Sequence, residues 1–276
     1  MKKLNFIIKY GLALLLLSFY SCESWLNVTP SDRLSEEMLF NDREGFVKAL
    51  NGVYIELNTN ELYGRNLTAG ALDVMGQYYS VASSSHVFYN YGGLVYTGNN
   101  EKALFDNMWQ KCYAVIACCN TIIEKCDENK AGLSPVWRGS IKGEALALRA
   151  MLHFDMLRLF GPLTSELDKE SIPYQTISDQ TVTPLLSGSE VIGLILDDLK
   201  NAVDLLKDTD PYFVEEEFSD TDLNYRRFRM NYFAAKGLMA RVQLWGGDKE
   251  KAAITAKEVI AEGQAEGAEF FPFVTN

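Results

Sequence analysis

"KGLMARVQLWGGDKEKAAITAKEVI", Lys236 to Ile260, decides the fold. Apolar residues recur at helical spacing on both sides of Gly246-Gly247-Asp248, so the stretch reads as two helices, ending near Trp245 and beginning at Lys249, joined by a tight turn. Ala240 and Ala252 stand twelve residues apart with the turn between them. Small side chains at two such places let paired helices approach closely, the pattern of a tetratricopeptide-like (TPR-like) unit, here flanked by Leu244 and Ile260. A plain helical hairpin with a Gly-Asp turn is the alternative.

The same logic extends toward the N-terminus. "EALALRAMLHFDMLRLFG", Glu144 to Gly161, reads as the first helix of a similar unit, opened by Pro135 and stopped at Phe160-Gly161-Pro162. From Leu146 to Phe160 only Arg149, His153, Asp155 and Arg158 are polar, which marks a central helix. Its partner begins at the capping box Ser187-x-x-Glu190, after a loop of about twenty-five residues carrying Pro173 and Pro184. That partner sets Ile192, Ile195, Leu199, Ala202 and Leu206 on one face and Asp197, Asp198, Lys200 and Asp204 on the solvated side. A helix over Lys102 to Cys126 presents Trp109, Tyr113, Ile116, Asn120 and Ile123 in turn, so Asn120 faces the core and needs a hydrogen-bond partner. An earlier helix starts at Asn41-x-x-Glu44 and repeats Phe46, Leu50, Val53 and Leu57. A short helix is expected within Leu67 to Met75, and the last pair spans Met230 to Trp245 and Lys249 to Gly263. The acidic segment Asp208 to Asp222 reads as an exposed connection. No stretch alternates as a strand would. The expectation is an all-α, TPR-like helical repeat scaffold with long loop insertions, an architecture that binds partners on a surface and rarely catalyses.

The 276 residues carry a net charge of −11, and loss of the three lysines before Cys22 takes it to −14. Phosphate backbones repel such a chain, so no nucleic-acid partner is expected. At the N-terminus, "LLLLSFYSCESWLNVTP" runs from Leu14 to Pro30. A membrane span needs roughly 20 apolar residues. Only about a dozen lie between Lys9 and Cys22, the length of a signal-peptide core. Ser21 before Cys22 forms a loose lipobox, so residues 1–21 read as a lipoprotein signal and Cys22 as the acylated first residue of the domain at 22–276. An ordinary signal peptide that contains a cysteine is the other reading.

Cys112, Cys118, Cys119 and Cys126 share one helix. Cys112, Cys119 and Cys126 are seven apart, about 10 Å from one to the next. That is too far for a disulfide or a shared metal ion, so they read as small buried side chains. No metal or cofactor is expected. His86 lies in a loop and His153 in the central helix, where Asp155 at i+2 points elsewhere and makes no working pair with it. Arg149 and Arg158 read as partners of carboxylates, with Asp155 and Arg158 an i, i+3 pair. No nucleophile elbow, zinc helix or phosphate loop occurs, and no carboxylate pair is marked as a glycosidase's.

The region Asn58 to Asn100 has binding character. Six of the fourteen tyrosines sit there, among dense glycines and the triple serine 83–85. A flat aromatic ring covers the apolar face of a sugar, and neighbouring amide or hydroxyl groups read its hydroxyls. Tyr78, Tyr79, Phe88, Tyr89, Asn90 and Tyr91 are the candidate ligand-binding residues. The alternative is that these rings pack the loop onto the helices.

Five segments then occur in a familiar order: "CESWLNVTP", "WQKCYAVIACCNTIIE", "GEALALRAMLHFDMLRLFGPL", "VIGLILDDLKNAVDLL" and "AAKGLMARVQLWGGDKEKAAITAKEVI". Together they resemble the SusD/RagB family of outer-membrane lipoproteins from Bacteroidetes. The resemblance implies a TPR-like scaffold at the cell surface, lipidated at Cys22, that binds a glycan or other nutrient without enzymatic activity. It implies a SusC-like TonB-dependent transporter as the partner, capped by this protein, and an outer membrane reached through the lipid anchor. Phe88, Tyr89 and Tyr91 match the family's ligand surface by region. Family members continue past the last repeat. The resemblance therefore implies that this chain is cut short at "EFFPFVTN", with Phe270, Phe271 and Phe273 exposed where further chain would cover them.

Overall fold

The computed structural model of the chain describes residues 36–179 and 181–264. Cys22, the residues before it that read as a lipoprotein signal, and Phe270, Phe271 and Phe273 lie outside the described residues. The helices are α1 (Glu36–Leu39), α2 (Arg43–Leu57), α3 (Ala71–Met75), α4 (Tyr89–Gly92), α5 (Asn99–Glu128), α6 (Pro135–Phe160), α7 (Gly188–Thr209), α8 (Asp220–Arg226), α9 (Tyr232–Trp245) and α10 (Lys249–Gly263). The chain divides into two units at Leu39, with α1 in the first and every other element in the second.

Local chemistry sets the helix ends. Ser134 caps α6, with Pro135 in the first turn, where its missing N–H costs nothing. The Ser187–Glu190 capping box forms at α7 as expected. At α2 the cap is Asp42, whose Oδ1 accepts from the Gly45 amide at 2.8 Å, and not Asn41. Asn231 caps α9 and accepts from the Ala234 amide at 2.9 Å, which moves that start from Met230 to Tyr232. The short helix expected within Leu67 to Met75 is confined to α3, after Gly70.

Each long helix packs on its neighbour in the series α2, α5, α6, α7, α9, α10. This is the stacked-hairpin logic of a helical repeat, and the all-α, TPR-like expectation holds. The α6–α7 pair is the tightest join. A Cβ on Gly143 would sit 2.8 Å from Leu206 Cγ, and one on Gly139 2.6 Å from Thr209 Cγ2. Two glycines one turn apart thus allow the contact. In the α9–α10 hairpin Ala240 and Ala252 are buried, and Gly247 takes φ +91° in the turn, a conformation that favours glycine. Leu244 and Ile260, expected to flank the hairpin contact, instead stay exposed. Cys112, Cys119 and Cys126 are fully buried in α5, and Cys118 is exposed.

Three expectations are corrected. A two-stranded antiparallel sheet, β1 (Glu170–Pro173) with β2 (Leu185–Ser187), forms inside the insertion between α6 and α7. Strands of three and four residues are too short to show alternation in sequence. Asp198 is buried rather than solvated, because Arg149 draws it inward. The acidic connection folds inward at Asp210, which is fully buried, and contributes α8.

Candidate functional site

Two buried ionic clusters hold the irregular segments on the helices. In the first, Arg149 grips Asp198 through Nε and Nη2, both at 2.7 Å, and donates from Nη1 to Asn120 Oδ1 at 2.9 Å. Asn120 donates onward to the carbonyls of Gln175 and Ile177, which supplies the partners its core position demanded. Tyr174 donates to Asp198 at 2.6 Å and stacks on His153 at 4.0 Å. His153 Nε2 accepts from the Gln175 amide, so Nδ1 carries the proton that it gives to the Arg149 carbonyl. Burial lowers the His153 pKa to about 3 and keeps the ring neutral. The histidine is a structural clamp on the insertion, not an acid or base.

In the second cluster Arg226 grips Asp210 at 3.0 and 2.6 Å and pairs with Glu144. Arg229 donates to Glu144 at 2.7 Å and lies 4.6 Å over the Tyr54 ring, whose hydroxyl also donates to Glu144. Burial alone would raise the Glu144 pKa, but Arg226 and Arg229 outweigh it and the carboxyl is held below its ordinary value. Bidentate guanidinium–carboxylate geometry satisfies both partners in both clusters.

The tyrosine-rich loop is built on a different plan. Tyr63 anchors its start by donating to Asp155 Oδ2 at 2.6 Å. Asp155 also faces Arg158 Nη2 at 3.4 Å, as the i, i+3 spacing predicted. Tyr91 is only 2% exposed, its ring set against Phe88 at 5.9 Å and Phe105 at 5.9 Å. Phe105 meets Phe160, which meets Trp109, so the rings continue into α5 and α6. This corrects the place of Tyr91. It is an internal post of the loop and has no surface to offer a ligand. Phe88 is half-buried beneath Arg65, and Asn90 donates its amide to buried Glu101 at 2.8 Å. Phe88 and Asn90 therefore brace the loop from its rim.

Above that base Tyr78 is 80% exposed, Tyr79 55% and Tyr89 42%. Val87 and Leu94 are exposed with them. Gln77 and Leu94 take φ of +62° and +55°, strained for side chains of that size, and Gln77 Nε2 donates to the Gly92 carbonyl at 3.0 Å across the loop. No Asp, Glu, Lys or Arg occurs from Val74 to Asn100. The loop thus presents aromatic rings and neutral hydrogen-bonding groups on a braced base.

Two clefts escaped the sequence reading. One, of about 490 Å³, lies between α2, α6 and the α8 segment; the other, of about 380 Å³, adjoins it and shares Tyr54, Phe228 and Arg229. The run "YRRFRM", Tyr225 to Met230, was the available signal, since three arginines interleaved with aromatics follow directly on the acidic connection. Among the described residues no cluster of His, Cys, Asp and Glu is placed to hold a metal ion, and no helix is long and apolar enough to cross a membrane.

A SusD-like family model, described as "Starch-binding associating with outer membrane", matches residues 24–244. The chain belongs to the SusD-like family. SusD-like protein P2 of Formosa agariphila is 26% identical over 268 residues, covering 94% of this chain and 46% of that protein. A SusD-like carbohydrate binding protein from Bacteroides vulgatus superposes with a TM-score of 0.64 at 24% identity, over 80% of this chain and 45% of the other. A laminarin binding SusD-like protein superposes at 0.60 with 17% identity, over 80% and 44%. Those two structures support the helical fold of this SusD-like chain. The chain spans about half the length of the relatives it matches.

Proposed function

We propose that this SusD-like chain is a cell-surface lipoprotein, anchored through an acylated Cys22, that captures a glycan without chemical turnover. It hands that glycan to a TonB-dependent, SusC-like outer-membrane transporter. The observation that carries the reading is the exposure of Tyr78, Tyr79 and Tyr89 on an uncharged, braced loop, in a family described as starch-binding. Large apolar rings held in water are costly unless something covers them, and a sugar face suits both the rings and the hydroxyls around them. Affinity electrophoresis of residues 23–276 through gels containing neutral and acidic polysaccharides tests it. Retardation by at least one neutral polysaccharide is expected, and a folded chain retarded by none of a broad panel overturns glycan capture.

A second reading is a TPR-like scaffold that docks a protein without glycan. The stacked α6–α7 and α9–α10 hairpins favour it, since such arrays present long surfaces. Co-purification of a barrel transporter with no glycan retardation selects that reading.

A further inference from the structure

We propose that the 490 Å³ cleft between α2, α6 and the α8 segment is a second ligand site, distinct from the tyrosine loop, that accepts one or two rings of a neutral sugar. A volume in this range, lined by aromatics with a few convergent polar groups, is the usual form of a small-molecule site.

The walls are aromatic. Phe228 and Tyr225 line the cleft yet remain 69% and 61% exposed. Trp137 forms the inner wall, fixed by its Nε1 donating to the Glu217 carbonyl at 3.1 Å and by Phe218 at 4.5 Å. The floor is the second ionic cluster, where Glu144 and Asp210 balance Arg226 and Arg229. The two arginines of the lining are matched by Glu144 and Asp210, and the Asp222 carboxylate lies on the wall. Arg43 and Arg227, which lie 4.8 Å over the Trp137 ring and 4.9 Å over the Phe228 ring, are not part of the lining. That balance disfavours an anion.

Three neutral polar groups line the cleft with hydrogen-bonding capacity to spare. Asn51 uses Oδ1 to accept from Arg229 at 2.7 Å, and its amide nitrogen has no partner among the described residues. The hydroxyls of Ser140 and Thr221 likewise have none there. A purely apolar occupant, such as a lipid tail or a leucine side chain, would bury these groups unsatisfied. A pyranose ring stacks an apolar face on Phe228 or Tyr225 and offers hydroxyls to the amide and the two alcohols.

The test uses the full chain and small sugars: methyl glucoside and maltose as neutral probes, glucuronate as the acidic one. Saturation-transfer NMR reads binding, and Trp137 fluorescence, assigned with Trp137→Phe, locates it. The neutral sugars are expected to bind and to perturb Trp137. Phe228→Ala and Thr221→Val should each weaken them about tenfold, the size of one lost stacking or hydrogen-bonding contact. The double variant Tyr78→Ala, Tyr79→Ala should leave the Trp137 response to these small sugars in place. Absence of neutral-sugar signal in a folded chain overturns the proposal. So does a Trp137 response to neutral sugar that survives Phe228→Ala with Thr221→Val, or a stronger Trp137 response to glucuronate than to glucoside. The loop reading stands or falls separately, on polysaccharide retardation.

Discussion

The two ionic clusters and the tyrosine loop are opposite solutions to holding irregular chain on a helical scaffold. Around Arg149 and Arg226, charged side chains are driven inside and matched with carboxylates of defined geometry. From Val74 to Asn100 there is no formal charge, and the chain is fixed by ring packing at Tyr91, the hydrogen bond from the Asn90 amide to Glu101 and the one from Gln77 to the Gly92 carbonyl. Charge pairing positions the segments that need only stay put. The uncharged loop leaves large rings in water, and that cost makes sense where a ligand covers them.

Breaking the clusters should have the largest effect. Arg226→Met leaves Asp210 buried without its cation and Glu144 with Arg229 alone, and chemical denaturation should show a loss of about 3–5 kcal/mol. Next comes the close α6–α7 join. Gly143→Ala puts a methyl against Leu206 and should cost about 1–3 kcal/mol in the same assay, with mild effects only if α7 shifts outward freely.

A smaller effect is expected from pH. The folded His153 pKa lies near 3, against about 6.5 when unfolded. Below pH 6.5 the unfolded chain takes a proton that the folded chain refuses, so stability is full above that pH and falls as pH drops toward 3. The loss from this one group should reach about 1.4 kcal/mol by pH 5.5, and His153→Gln should remove that part of the slope. An unchanged slope in the variant assigns the pH dependence to other groups. Smallest of all is the stability change from Tyr78→Ala or Tyr79→Ala, expected within about 0.5 kcal/mol because both rings are exposed.

Much of the scaffold was legible from Lys236–Ile260 and Gly143–Leu163, because helix period, caps and glycine stops are local signals. Asn120 and the buried cysteines followed from periodicity alone. What the sequence hid was long-range pairing. Nothing near Asp198 or Asp210 announces that an arginine 49 residues before the one, or 16 after the other, will bury it. The loop was half legible. Tyrosine density marked the region, but whether a ring faces in or out depends on what packs beneath it, so Tyr91 could not be told from Tyr89. Tyr54, Trp137 and Phe228 come from three separate stretches and meet only in the folded chain.

The central claim is that exposed rings on the uncharged loop hold a glycan. The direct test is affinity electrophoresis of the chain beside the triple variant Tyr78→Ala, Tyr79→Ala, Tyr89→Ala, with unfolding curves recorded for both. The account predicts that a neutral polysaccharide retards the parent chain, that the variant runs freely, and that the two unfold alike. A stable variant retarded as strongly as its parent would contradict it.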